Sequence, residues 1–125
     1  MKTRGFSYHI LRIGMAVTFL WIGILIFKDP DFWGGFLHPW AADLLPVPQR
    51  EAMIGTAVVD MAIGFFLLID IGAWVATLVG AVHLAVVLAT TGTTAITVRD
   101  IGLLAASISL FWEDLPGQIR AKFKR

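Results

Sequence analysis

Four long apolar runs constrain this chain more than any other feature. Each run is close to the roughly 20 residues that a helix needs to cross a bilayer, and the charged residues gather at the ends of the runs. Backbone groups find no water to bond inside lipid, so spanning segments form either helices or a closed barrel. The runs lack the alternation of barrel strands, which predicts transmembrane helices at residues 8–27, 52–69, 72–90 and 94–112.

The composition of the 125 residues supports the same fold class. Hydrophobic residues make up 58% and charged residues only 15%, whereas a soluble domain carries about 25% charged residues. The first run ends in Phe27-Lys28-Asp29-Pro30 without a small-residue cleavage site, so we interpret it as a retained anchor rather than a signal peptide. We therefore expect one all-α domain over residues 1–125, an integral membrane four-helix bundle whose surroundings are lipid and not nucleic acid.

The long connection at residues 28–51 is rich in aromatic residues. Gly34-Gly35 and Pro39 divide it, and a short helix from Pro39 to Leu45 has its proline in the tolerated first turn. We expect an interfacial segment between helices 1 and 2 with its tryptophans anchored among lipid headgroups. A lid over a ligand is the alternative.

The basic residues predict the orientation. Four spans place both termini on one side, together with seven of the ten Lys and Arg residues, which predicts a cell (inner) membrane protein with cytoplasmic termini. Residues 113–125 form a basic cytoplasmic tail that either fixes this topology alone or also lies on anionic lipid. The seven residues are Lys2, Arg4, Arg12, Arg120, Lys122, Lys124 and Arg125.

Two ionisable residues, Asp60 and His83, lie in the middle of the second and third runs. Counting from Ile71 in the tight turn between the runs, Asp60 is 11 residues before and His83 is 12 after. In an antiparallel hairpin both would lie roughly 17 Å from the turn and face each other. A charge at this depth costs at least about 3 kcal/mol, so such residues are functional candidates by default.

The pair has three possible roles. It binds a polar headgroup such as a quinone carbonyl, it relays protons, or it is a polar clasp that fixes helix register. The two groups would share protons and titrate as a unit. We expect no metal site, because one histidine and one carboxylate fall short of the usual three or four ligands. The absence of cysteine excludes thiol and disulfide chemistry on this chain.

A second group of charges is expected at the outer ends of the helices. These residues, from three helices, should lie at the same depth along the bundle and pair. They would form either a girdle, meaning a ring of ion pairs that holds the helices together, or a substrate vestibule. Arg12, about one turn inside the first helix, is expected to reach the inner interface by snorkelling; the alternative is an inward turn toward another helix's acid. The outer group comprises Lys28, Arg50, Glu51, Arg99 and Asp100.

The first two runs share a repeated pattern. Ile13-Gly14-x-Ala16-Val17 with Ile22-Gly23 recurs as Ile54-Gly55-x-Ala57-Val58 with Ile63-Gly64. The repeat records either a duplication or a coincidence between two helices that run in opposite directions.

Several short motifs together resemble the DoxX-like family of small membrane proteins. They are Arg12-Ile13-Gly14 in the first helix, the exit from Gly23 to Lys28, the Trp-rich outer segment, and a last helix opening Arg99-Asp100-Ile101-Gly102. The resemblance implies a four-helix membrane bundle. Some members are subunits linked to quinone oxidoreduction.

From these features we expect an accessory or small subunit of a quinone-linked membrane redox assembly, not an independent enzyme. A quinone would lie near Asp60, His83 and Trp40, and the partners would be other membrane subunits or further copies of the chain. One alternative is a non-enzymatic structural subunit that packs against a larger membrane complex. Another is a small-solute or proton transporter.

Overall fold

The fold is described by a computed structural model for residues 5–92 and 99–123. Each regular element within these residues is a helix. Lys2, Arg4, Lys124, Arg125 and the predicted helical residues 94–98 lie outside this part. The helices are α1 (Phe6–Lys28), α2 (Pro30–Gly34), α3 (Pro39–Asp43), α4 (Gln49–Ile69), α5 (Ala73–Thr91), α6 (Arg99–Asp114) and α7 (Gly117–Phe123).

Three of these helices are long and apolar enough to cross a membrane. They are α1, α4 and α5, with 23, 21 and 19 residues, which is consistent with a multi-pass membrane protein. Large apolar side chains such as Trp21 and Val82 are exposed on their outer surfaces, an arrangement that lipid favours. In the described part of the chain α6 has 16 residues, short of the roughly 20 that a span requires.

Close contact between glycines and backbone joins α1 to α4. A Cβ atom on Gly23 would lie 2.9 Å from the carbonyl oxygen of Ala57, and one on Gly64 would lie 2.8 Å from that of Ala16. A side chain at either position would therefore collide with the facing helix. Small residues permit this close approach of helices in membranes.

A tight left-handed turn reverses the chain between α4 and α5, where the sequence predicts it. Asp70 has φ +57° and Gly72 has φ +60°. The amides of Asp70 and Ile71 donate to the carbonyls of Leu67 and Phe66, which satisfies acceptors at the end of α4. α5 then runs back antiparallel to α4 and packs along α6, with side chains such as Phe19, Leu67 and Leu110 buried between the helices.

The two ends of the described chain meet at the side of this turn. The hydroxyl of Tyr8, near the start of α1, donates a hydrogen bond to the buried carboxylate of Asp114, at the end of α6. Beyond it, the basic tail forms the short helix α7, and Arg120 donates to the carbonyls of Trp112 and Glu113 at 2.7 and 2.6 Å. We call this the inner end and the opposite one, with α2 and α3, the outer end.

Candidate functional site

Asp60 and His83 form a buried pair between α4 and α5. The Nε2 atom of His83 lies 3.0 Å from Oδ1 of Asp60, and the side chains are 16% and 5% exposed. The contact expected across the hairpin is therefore present, because the turn at Asp70 to Gly72 sets the register of the two helices.

The pair lines a cavity of about 610 Å³ in the outer half of the protein. This volume lies within the range of roughly 300–1,000 Å³ typical of sites for small molecules. Most of the wall is apolar, from α1, α4 and α5, with residues such as Phe19, Met53 and Leu84. The arrangement is an apolar chamber with a carboxylate and an imidazole at one place on its wall.

Residues of the outer segment also line this cavity. Trp33, Phe36 and Leu37 come from α2 and the residues after it, and Ala41 and Leu45 from α3 and its C-terminal flank. The backbone amide of His38 donates to the carbonyl of Thr90 at 2.8 Å, which ties the segment to the end of α5. The α2–α3 segment therefore covers part of the cavity, as the lid alternative requires.

Trp40, predicted to contact a quinone with the pair, has a different position. It is 54% exposed and does not line the cavity, whereas Trp33 does. The reason is the phase of the short helices: α3 begins at Pro39 and buries Ala41, so its neighbour Trp40 points outward. Sequence spacing across Gly34-Gly35 and Pro39 did not reveal this phase.

The predicted outer group of five charges is divided in the structure. Arg50 pairs with Asp31 at 2.9 Å, and both side chains are largely exposed, while Lys28 and Glu51 are exposed. Arg50 thus pairs with a residue outside the predicted group. Asp29 caps α2 by accepting from the amide of Phe32, and the short helix that follows brings Asp31 to Arg50.

The other two outer charges belong with the buried pair. Arg99 and Asp100, in the first turn of α6, line the same cavity as Asp60 and His83. Electrostatic interactions couple Asp100 to Asp60, His83 and Arg99. Among the described residues, the cavity is thus lined by four ionisable side chains, two acidic and two basic in type.

Arg12 turns inward instead of snorkelling to the interface. It is 8% exposed, and its Nη1 atom donates to the carbonyls of Leu67 and Leu68 at 2.6 and 2.9 Å. Its Nε lies 3.8 Å from the Asp70 carboxylate. The snorkelling prediction is wrong because the last turn of α4 presents carbonyl oxygens beside α1, and these accept hydrogen bonds from the guanidinium group of Arg12. The inward alternative, with an acid from another helix, is the one the structure shows.

Comparisons of the chain with protein-family models, with curated proteins and with solved structures found no match. The resemblance to DoxX-like proteins therefore stays an expectation from the sequence motifs. In the part of the chain that is described, no three His, Asp or Glu side chains come together as a metal site.

Proposed function

We propose that the chain is an integral membrane four-helix bundle of the DoxX-like type that binds a quinone at the Asp60–His83 pair. In this proposal α6 crosses the membrane with the three longer helices, and α2 and α3 form an aromatic segment at the outer interface. The protein then serves as a small subunit of a membrane redox assembly. It supplies the binding site, and other subunits supply the redox centres.

One observation carries the proposal: the pair, 3.0 Å apart, lies on the wall of a largely apolar cavity of about 610 Å³, which Arg99 and Asp100 also line. A quinone has carbonyl oxygens that accept hydrogen bonds and a ring that packs on aromatic side chains. In this proposal the Asp60–His83 pair donates a hydrogen bond to such an oxygen, and Trp33 and Phe36 are available to the ring. In this proposal the pair also exchanges protons with a bound headgroup.

The contact between Tyr8 and Asp114 supports the proposed topology. It places the start of α1 and the end of α6 at one end of the protein. The excess of Lys and Arg in the terminal segments favours the cytoplasm for that end. The cavity and its cover then face the outer leaflet of the cell membrane.

The test is a binding titration in lipid nanodiscs. Decylubiquinone is added and tryptophan quenching is followed for wild type, His83→Gln and His9→Gln. The glutamine at position 83 still donates to Asp60 but does not titrate, and we expect it to weaken binding about tenfold, or 1.4 kcal/mol. His9 lies at the inner end beside Arg12, so His9→Gln should bind as wild type does. Equal affinity in all three proteins would remove the proposed site.

The assembly is tested separately by solubilisation in a mild detergent. Co-migration with subunits that carry flavin, haem or iron–sulfur centres supports a redox role. Co-migration with a large complex that has no such centre, together with an unchanged titration in His83→Gln, would instead favour a structural subunit.

A further inference from the structure

The cavity is not sealed by the helices that surround it. Its lining includes Val17 and Trp21 on α1 and Val86 on α5, and these side chains are 50%, 66% and 53% exposed. Residues that both line a cavity and reach the surface mark its openings. The cavity therefore opens through the sides of the protein, on the surfaces of two helices that are long enough to span a membrane.

The depth of these openings indicates what lies outside them. Val86 is five residues from the end of α5 at Thr91, and Val17 is 11 residues from the end of α1 at Lys28. At 1.5 Å per residue these positions lie about 8 and 16 Å below the outer ends of their helices. In a bilayer about 30 Å thick they face hydrocarbon.

We infer that the ligand of this cavity is a membrane-dissolved amphiphile, which enters from the bilayer and keeps an apolar tail in a side opening while its polar head lies at Asp60 and His83. The inference rests on the proposed function and adds that the tail is part of what is recognised. Trp33, Phe36 and Leu37 cover part of the cavity at its outer end. The apolar rim at Val17, Trp21 and Val86 suits an isoprenoid or alkyl chain.

Two probes and two matched double variants test this. The probes are dimethoxy-methyl-benzoquinone, which has no tail, and decylubiquinone, which has the same head with a decyl chain. The blocking variant is Val17→Phe with Val86→Phe, at the openings. The control is Ile24→Phe with Val82→Phe, on the same two helices, at positions of similar exposure that do not line the cavity. Affinities are measured in nanodiscs by tryptophan quenching, and circular dichroism checks the fold.

The ratio of each variant's affinity to that of wild type, taken for one probe at a time, removes the effect of partitioning into lipid. We expect the blocking variant to lose about tenfold in affinity for decylubiquinone and less than about twofold for the tail-less probe. The control should retain both affinities. Wild-type affinity for decylubiquinone in the blocking variant, or an equal loss for both probes, overturns the inference.

These outcomes are separate from failure of the proposed function. If both probes bind wild type in a manner that depends on His83, and the blocking variant binds them with wild-type affinity, the headgroup site is supported and the tail contact is refuted. If neither probe binds wild type, both proposals fall.

Discussion

Substitution of Gly64 by alanine tests the packing on which the cavity depends. The new Cβ would lie 2.8 Å from the Ala16 carbonyl oxygen and 2.9 Å from the Leu20 amide nitrogen. Both are backbone atoms of α1, so the two helices would have to separate by roughly 0.5 Å, a gap that forfeits about a quarter of the dispersion energy of the facing atoms. Overpacking of this kind costs about 1–3 kcal/mol.

A second effect acts in the opposite direction and needs a control. Alanine stabilises a helix by about 0.5–1 kcal/mol relative to glycine. Gly55 lies on the same helix, and a Cβ there meets nothing within 4 Å, so Gly55→Ala isolates this gain. We expect Gly64→Ala to destabilise the protein by about 0.5–2 kcal/mol after the gain is counted. Gly55→Ala should leave its stability equal or higher.

The assay is unfolding in mixed micelles, with the mole fraction of dodecyl sulfate raised and tryptophan fluorescence recorded. The decisive quantity is the difference between the two alanine variants, about 1–3 kcal/mol, because helix propensity cancels in it. If the two variants unfold at the same mole fraction, α1 and α4 are not in close contact at Gly64, and the reasoning is refuted.

Three further predictions concern the two ends of the protein. Arg12→Met should lower the free energy of unfolding by at least about 1.5–3 kcal/mol, the contribution of one hydrogen bond to a charged group, since Arg12 donates to two carbonyls of α4. The micelle assay measures this change, and a variant as stable as wild type would show that these two hydrogen bonds do not stabilise the fold. Arg50→Ala should change the free energy of unfolding by no more than about 0.5 kcal/mol in the same assay, because the ion pair of Arg50 with Asp31 is exposed. A decrease in this free energy of more than about 1 kcal/mol would contradict the prediction. Gly92→Ala should loosen the outer segment, because Gly92 has φ +69° and a Cβ there would lie 2.8 Å from His38 Nε2. The His38 amide should then exchange faster in Gly92→Ala than in the control Gly102→Ala, whose new Cβ meets nothing within 4 Å. Equal exchange rates in the two variants would contradict the prediction.

The parts of the fold that sequence could predict are those that depend on regular spacing. Run length and hydropathy located α1, α4 and α5 to within about three residues at each end. Nearly equal residue counts on either side of the turn, 11 and 12, placed Asp60 opposite His83. In both cases the prediction needed only the helical rise and the polarity of single residues.

Details that depend on the geometry between elements could not be predicted in this way. The choice of Asp31 as the partner of Arg50 depends on where α2 turns after Asp29. The inward position of Arg12 depends on backbone carbonyls at the end of another helix, and the sequence does not show which side chain such carbonyls face. The position of Trp40 depends on where a five-residue helix begins. A start one residue earlier or later would change which side chains of that helix face the cavity.

The repeat in the first two runs acquires a physical explanation from the contact of α1 with α4. Ala16 and Gly23 are seven residues apart, as are Ala57 and Gly64, and the pairs meet crosswise, Gly23 against Ala57 and Gly64 against Ala16. A symmetric contact of this kind between two antiparallel helices favours small residues at the matching positions of both helices. Their opposite directions therefore favour the repeat instead of arguing against it.

This contact also bears on the position of the site. Asp60 lies between Ala57 and Gly64, two residues that pack α4 against α1, so this packing contributes to the depth of its carboxylate. A change of register at the glycines would move Asp60 along the cavity wall relative to α1. The chemistry proposed for the pair thus depends on two small residues that never touch the ligand.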